Sequence, residues 1–220
     1  MAKVAVILAG CGVNDGSEIH EAVFALNALD RAGAEVTMTA PDMELDVIDH
    51  FAGTPGGGTR NVFTESARIA RGNIKPLAGL KAADFDALVL PGGFGAAKHL
   101  CDFAARGAEA EVLPEVASLV GDMHAAGKPI GAMCIAPVVL AATFRDAGFS
   151  PKLTIGNCPD TSAALEKMGA THVECAVDDV VVDTEHRLVS TPAYMLAMRI
   201  GELQEGIDKL VAEVLKLAEA

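Results

Sequence analysis

The 220-residue sequence has no tryptophan, one tyrosine and only 4% aromatic residues. A core without large rings has to be filled by aliphatic side chains, and 51% of the residues are hydrophobic, enough to fill a sizeable one. Positive charge is also scarce: 17 Lys and Arg stand against 30 Asp and Glu, for a formal net charge of −13. Such a chain is repelled by phosphate backbones and by anionic lipid, so nucleic acid and membrane surfaces are excluded as expected partners. No apolar run approaches the roughly 20 residues of a membrane-spanning helix. The five cysteines, at 11, 101, 134, 158 and 175, form no Cys-x-x-Cys pair and no dense framework. That excludes a disulfide scaffold and predicts a reducing, cytoplasmic location. Metal-ligand spacing is missing as well, since no His or Cys pair stands at helical or knuckle separation, and no metal is expected. The N-terminal MAKVAVILAG imitates a weak signal peptide but is short and strand-like for one, and a first buried strand is expected there.

What is present is an alternation of strand-like and helix-like segments. Residues 4–9 form a continuous apolar run, typical of a parallel strand buried on both faces. Residues 17–31 have helical spacing, with Ile19, Val23, Leu26 and Leu29 on the predicted inner side, Ser17 or Asp15 as cap and Gly33 after the end. Residues 35–40 read as a second strand, and the Gly- and Pro-rich residues 41–60 read as loop. A helix is expected over 61–71, a strand over 86–90, and helices in 94–106 and 112–126. Strands follow into Cys134 and at 153–155, 180–182 and 188–190, and one long or two shorter amphipathic helices close the chain over 192–217. Such alternation predicts a mostly parallel sheet covered by helices on both faces. No linker or composition shift divides residues 1–220, so one domain is expected.

In a parallel sheet the site lies beyond the carboxyl ends of the strands. The apolar run in KPIGAMCIAP, residues 128–137, stops at Cys134, and Pro137 suits the first turn of a following helix. A cysteine on such a strand-to-helix elbow is pushed out over the sheet, as the serine of an elbow hydrolase is. Pro91-Gly92-Gly93 ends the neighbouring strand, and paired glycines let main-chain N–H groups approach a ligand. Gly93, with Gly92 beside it, and Ile135 are therefore the candidate N–H donors to an oxyanion. The first loop, GCGVNDGSEIHEA, supplies two carboxylates three residues apart, Glu18 and Glu21. Either is also an ordinary helix-start acid. A lone cysteine in an apolar run is commonly inert core, which is the reading for Cys101, Cys158 and Cys175; the elbow and the glycine pair reverse it for Cys134. His20 and His99 stand near the site loops. Cys11 is either a small residue in a tight turn or, if it approaches Cys134, a resolving thiol. Arg60 either lines the entrance or belongs to a surface loop. Gly10, Gly12 and Gly16 imitate a dinucleotide loop, but the spacing is one residue too long and Asp15 and Glu18 would repel a pyrophosphate.

The segments VAVILAG, HEAV, ALDRAGAEVT, DFDALVLPGGFGAAKHL and GKPIGAMCIAP resemble, in order, the ThiJ/PfpI superfamily. More narrowly, GCGVNDGSEIHEAV, TRNVFTESARIARG and TPAYMLA are similar to the ElbB group, glyoxalases linked to isoprenoid biosynthesis. The resemblance implies a flavodoxin-like three-layer α/β/α sandwich of the class I glutamine amidotransferase-like kind. It implies that the nucleophile falls on Cys134, the glycine-loop donor on Gly93 and the conserved acid on Glu21, with Glu18 second. It further implies a homodimer. The chain departs from two branches of the superfamily. Ile135 stands where the peptidases have a histidine, and the late VSTPAYMLA lacks the amidotransferases' His-x-Glu. Without a base placed to drive amide attack, proteolysis and glutamine hydrolysis are disfavoured. What is left is a cofactor-independent glyoxalase of the lyase type. It would turn small aldehydes such as glyoxal into hydroxy acids, and apparent deglycation would follow from the same attack. The alternative is a redox-sensing or binding protein with an oxidisable cysteine and little turnover.

Overall fold

A computed structural model describes residues 1–220. In chain order its elements begin with β1 (Lys3–Ile7), α1 (Ile19–Arg31), β2 (Glu35–Ala40), β3 (Glu44–Asp49), β4 (Thr54–Asn61), α2 (Val62–Ile69), β5 (Lys75–Pro76) and β6 (Ala87–Leu90). They continue with α3 (Phe103–Arg106), α4 (Pro114–Ala125), β7 (Ile130–Met133), α5 (Pro137–Thr143), β8 (Lys152–Leu153) and α6 (Pro159–Lys167). Last come β9 (Thr171–His172), β10 (Val181–Asp183), β11 (Leu188–Thr191) and α7 (Ile200–Glu219). Seven strands form one sheet in the order β10-β11-β7-β6-β1-β2-β5. Every neighbouring pair is parallel except β10 with β11.

Side chains on a strand alternate between faces, and here the two faces feed two separate cores. Ala5 and Ile7 of β1 join Leu88, Leu90, Ile130 and Leu188 on the side covered by α4 and α5. Val4, Val6 and Leu8 join Val89 and Val189 on the side covered by α1 and α7. The result is the α/β/α sandwich with a mostly parallel central sheet. Strand β1 lies between β6 and β2. The chain leaves β1 toward β2 and returns to β6 on the other side, so the topological switch point opens at the carboxyl ends of β1 and β6.

Four local expectations change. Residues 41–60 are not loop but contain the antiparallel hairpin β3–β4, with an irregularity between Asp46 and Ile48. Strand β4, TPGGGTRN, is exposed along nearly all its length. Main-chain pairing forms it, so no burial pattern marks it in the sequence. The buried side of α1 carries Glu21, Ala22, Ala25, Ala28 and Leu29, whereas Ile19 and Val23 are 42% and 47% exposed. Small alanines allow close packing against the sheet and α7, and they turn the larger side chains outward. The cap of α1 is Glu18, not Ser17 or Asp15. Ser17 instead accepts the Ala9 N–H through Oγ at 2.8 Å, and Asp15 accepts the Ile48 N–H at 2.8 Å, tying the hairpin to the first loop. The segment 94–106 holds a π-helical turn, Ala96–Leu100, and the four-residue α3 rather than one helix. No helix is long and apolar enough to cross a membrane.

Candidate active site

All four residues of β7 are buried. The strand stops at Cys134 because the backbone turns left-handed there, with φ +58. An L-residue in that conformation costs about 1–2 kcal/mol. The strain persists because the Cys134 N–H is held by the Thr191 carbonyl at 3.0 Å and the next turn closes from Ala136 N–H to the Met133 carbonyl at 2.9 Å. Pro137 then starts α5 at its first turn, where its missing N–H costs nothing. The thiol is only 7% exposed.

The glycines after β6 have divided tasks. Gly92 lies so close that a Cβ there would stand 2.5 Å from the Cys134 Cβ and 2.6 Å from Oε2 of Glu21. Its N–H donates to that Glu21 oxygen at 3.0 Å, so Gly92 is not an oxyanion donor as the sequence suggested. Gly93, at φ +91, and Ile135 place their N–H groups near the sulfur, where they favour its charged form. Neither of these two N–H groups is spent on a main-chain carbonyl.

Glu21 is completely buried. Its Oε1 accepts the Tyr194 N–H at 3.2 Å, and the carboxyl lies beside the Cys134 side chain, both against Gly92. Burial pushes its pKa up to about 7, and the Glu18 charge adds to the rise, while the bonds from Cys134, Tyr194 and Gly92 oppose it. Burial and the Glu21 charge also hold the Cys134 thiol well above the usual thiol range, against the pull of the Gly93 and Ile135 N–H groups. Passage of the thiol proton to Glu21 removes the carboxylate charge that opposes a thiolate, while burial still opposes it.

The raised affinity of Glu21 has a consequence for stability. A carboxyl that binds its proton more tightly in the folded state stabilises the fold where it is protonated. That contribution is complete below the unfolded value of 4.5 and is lost as pH rises through about 7. The difference corresponds to about 3 kcal/mol. Urea unfolding at pH 4 and pH 8 is expected to show wild type losing about that much more stability than Glu21→Gln. An equal loss in both proteins would mean that folding leaves Glu21 unshifted.

The remaining candidates distribute as follows. Glu18 does not share the sulfur; its Oε2 caps α1 by accepting the Glu21 N–H at 2.8 Å. His20 lies beside the pair, its Nδ1 2.8 Å from the Tyr194 hydroxyl. His99 is buried, donates from Nε2 to the Asp15 carbonyl at 3.1 Å and lines a cavity of about 620 Å³ under the hairpin. All five cysteines are unpaired. Cys11 faces a cavity of about 300 Å³ with Asp15, His50, Arg60 and Glu65. Burial there and the Glu65 charge raise its pKa. Arg60 donates to Glu65 at 3.3 Å on the same wall. Tyr194 and Thr191 touch the pair through main-chain atoms, which no side-chain motif reveals; the string TPAYMLA was their only signal.

Comparison with known proteins places the chain among relatives of the same fold. A human protein, glutamine amidotransferase-like class 1 domain-containing protein 3, mitochondrial, is 45% identical over 98% of this chain and 83% of its own length. The rat ES1 protein homolog, mitochondrial, is 43% identical over 98% of this chain and 84% of its own. Among solved structures, an Ehrlichia chaffeensis isoprenoid biosynthesis protein with an amidotransferase-like domain has a TM-score of 0.90 at 37% identity, covering 97% of this chain and 99% of that one. Glyoxalase III from Candida albicans shares the fold, with a TM-score of 0.65 at 16% identity over 98% and 97% of the two chains. These relatives overturn the expected cytoplasmic location, because the curated ones are mitochondrial by name. Unpaired cysteines do not by themselves choose a compartment. Residues 2–198 match the DJ-1/PfpI family model, and the chain belongs to the DJ-1/PfpI family.

Proposed function

We propose that this chain is a glyoxalase that needs neither glutathione nor another cofactor, and that it converts small α-oxoaldehydes to hydroxy acids, glyoxal to glycolate. It would act through a single class I glutamine amidotransferase-like domain over residues 1–220. The observation that carries the reading is the placement of the fully buried Glu21 carboxyl beside the elbow cysteine, where burial pushes its proton affinity up toward neutrality. A general acid–base works best when its pKa lies near the working pH. The glyoxalase III name of the Candida relative agrees with the reading.

In the first step the Cys134 sulfur attacks one aldehyde carbon while its proton passes to the Glu21 carboxylate. The carbonyl oxygen becomes an alkoxide beside the N–H groups of Gly93 and Ile135 and takes the proton back from Glu21. This gives a hemithioacetal and restores the carboxylate. Glu21 then removes the hydrogen of that carbon as a proton, and the electron pair moves toward the second carbonyl to give an enediolate. Return of that proton to the neighbouring carbon, with the hydroxyl proton of the first oxygen passing to the second, leaves a thioester of a hydroxy acid. One carbon is oxidised and its neighbour reduced, so no external oxidant enters. Water cleaves the thioester, and glycolate leaves as the thiol regains its proton. The sensor alternative needs a standing thiolate, which burial and the Glu21 charge oppose.

The test is to incubate purified protein with glyoxal and a chelator, without glutathione, and to measure glycolate. Stoichiometric glycolate is expected, with Glu21→Gln lowering turnover about 10²–10⁴-fold and Glu18→Gln far less. Glyoxal that disappears without glycolate would sink the reading. Full activity in Glu21→Gln with loss in Glu18→Gln would reassign the base. A homodimer belongs to the same proposal; the outward Ile19 and Val23 of α1 offer apolar surface for it. Sedimentation at working concentration decides that point.

A further inference from the structure

The single tyrosine of the sequence sits beside the reacting pair. Tyr194 follows a tight turn in which Ala193 adopts φ +47 without being glycine. That turn aims the Tyr194 N–H at Oε1 of Glu21. The phenol runs the other way, to Nδ1 of His20 at 2.8 Å, and the two rings are tilted at 50° with centroids 5.9 Å apart. His20 Nδ1 is also 3.8 Å from Oε1 of Glu18, whose Oε2 accepts the Glu21 N–H. The contacts close a ring: Glu21 to Tyr194, Tyr194 to His20, His20 to Glu18, and Glu18 back to Glu21. It joins the start of α1 to the turn after β11, two segments 174 residues apart.

We propose that His20 and Tyr194 are positioning residues, whose mutual hydrogen bond keeps the Tyr194 N–H on Glu21 and thereby fixes the carboxyl against the Cys134 sulfur. The proposal rests on Cys134 and Glu21 being the reacting pair, and is independent of which aldehyde they act on. A left-handed alanine relaxes unless its surroundings hold it. Here the phenol–imidazole bond is the side-chain tether on that turn. If the tether is cut, the N–H withdraws and the carboxylate loses one of its donors. Proton affinity at Glu21 then rises. The titratable groups facing Glu21 are Glu18 from the head of its own helix, Cys134 from the elbow after β7 and Tyr194 from the turn after β11. Gly92 contributes only main chain.

The experiment is the rate of Cys134 alkylation by iodoacetamide between pH 5 and 10, resolved by peptide mass spectrometry. Wild type, Tyr194→Phe, His20→Ala, the double variant and His20→Asn are compared. The lower inflection of the profile, set by Glu21 near 7, is expected to move up by about half a unit to one unit in the first two variants. The double variant is expected to move no further, since both changes cut one bond. His20→Asn is expected to restore most of the wild-type profile, because its amide stands where Nδ1 stood. A profile unmoved in Tyr194→Phe and His20→Ala, even with lowered melting temperature, would reduce the pair to a structural clasp and overturn the proposal. Shifts that sum in the double variant would overturn it too. Alkylation needs no turnover. A protein inert toward glyoxal, with profiles shifted as expected, would end the glyoxalase reading and leave this one standing.

Discussion

Replacing Cys134 with serine is expected to lower glycolate formation by about 10³-fold or more, with little change in fold stability. The serine hydroxyl fits the same elbow, and the left-handed backbone at φ +58 is set by the surroundings. What changes is the nucleophile. A hydroxyl gives up its proton far less readily than a thiol, and a carboxyl near 7 is too weak a base to take it. The variant also loses the site of iodoacetamide labelling while the other four cysteines remain. Turnover assays with peptide-resolved labelling check both halves. Retained activity in this variant would remove Cys134 from the chemistry. A strained, non-glycine backbone held in place by several main-chain bonds is maintained at a cost, and such costs cluster at functional sites.

The second large effect is expected at Gly92. A methyl group there would stand 2.5 Å from the Cys134 Cβ, 2.6 Å from Oε2 of Glu21 and 2.9 Å from the Met133 carbonyl. None of these neighbours yields easily. The first is on the elbow, the second is held by two main-chain N–H groups, and the third is backbone. Gly92→Ala is therefore expected to cost about 2–3 kcal/mol, as overpacking of a fixed core does. It also pushes Glu21 off the sulfur, and displacements of this size lower turnover about 10²-fold. Gly33→Ala is the control. Gly33 adopts φ +74 with nothing within 4 Å of its would-be Cβ, so it bears only the backbone penalty of about 1–2 kcal/mol and leaves turnover intact. Thermal denaturation and turnover of the two variants separate crowding from conformation. Equal turnover in both would show that the site tolerates the intrusion.

The parts of the fold legible in the sequence are those encoded by local chemistry. Continuous apolar runs mark β1, β6 and β7 because both faces of those strands are buried. Pro137 marks the start of α5 because its ring suits a first helical turn. The hairpin β3–β4 was not legible, since an exposed strand held by main-chain pairing leaves no hydrophobic pattern. The inner face of α1 differs from the pattern for a related reason. Periodicity located an apolar stripe through Ile19 and Val23, but close packing chose the alanines and a buried glutamate instead.

At the site the division is sharper. The sequence by itself determined a layered parallel sheet with a cysteine on an elbow at its carboxyl end, because burial, turn and cap preferences act over a few neighbouring residues. Only the tertiary structure decided which donor serves which atom, that Gly92 is committed to Glu21 while Gly93 and Ile135 face the sulfur, and that Tyr194 completes the carboxyl's shell. The N–H groups that bind Glu21 come from 71 and 173 residues away. A proton affinity is the sum of such contacts and of the water they displace, and no local run of residues encodes that sum.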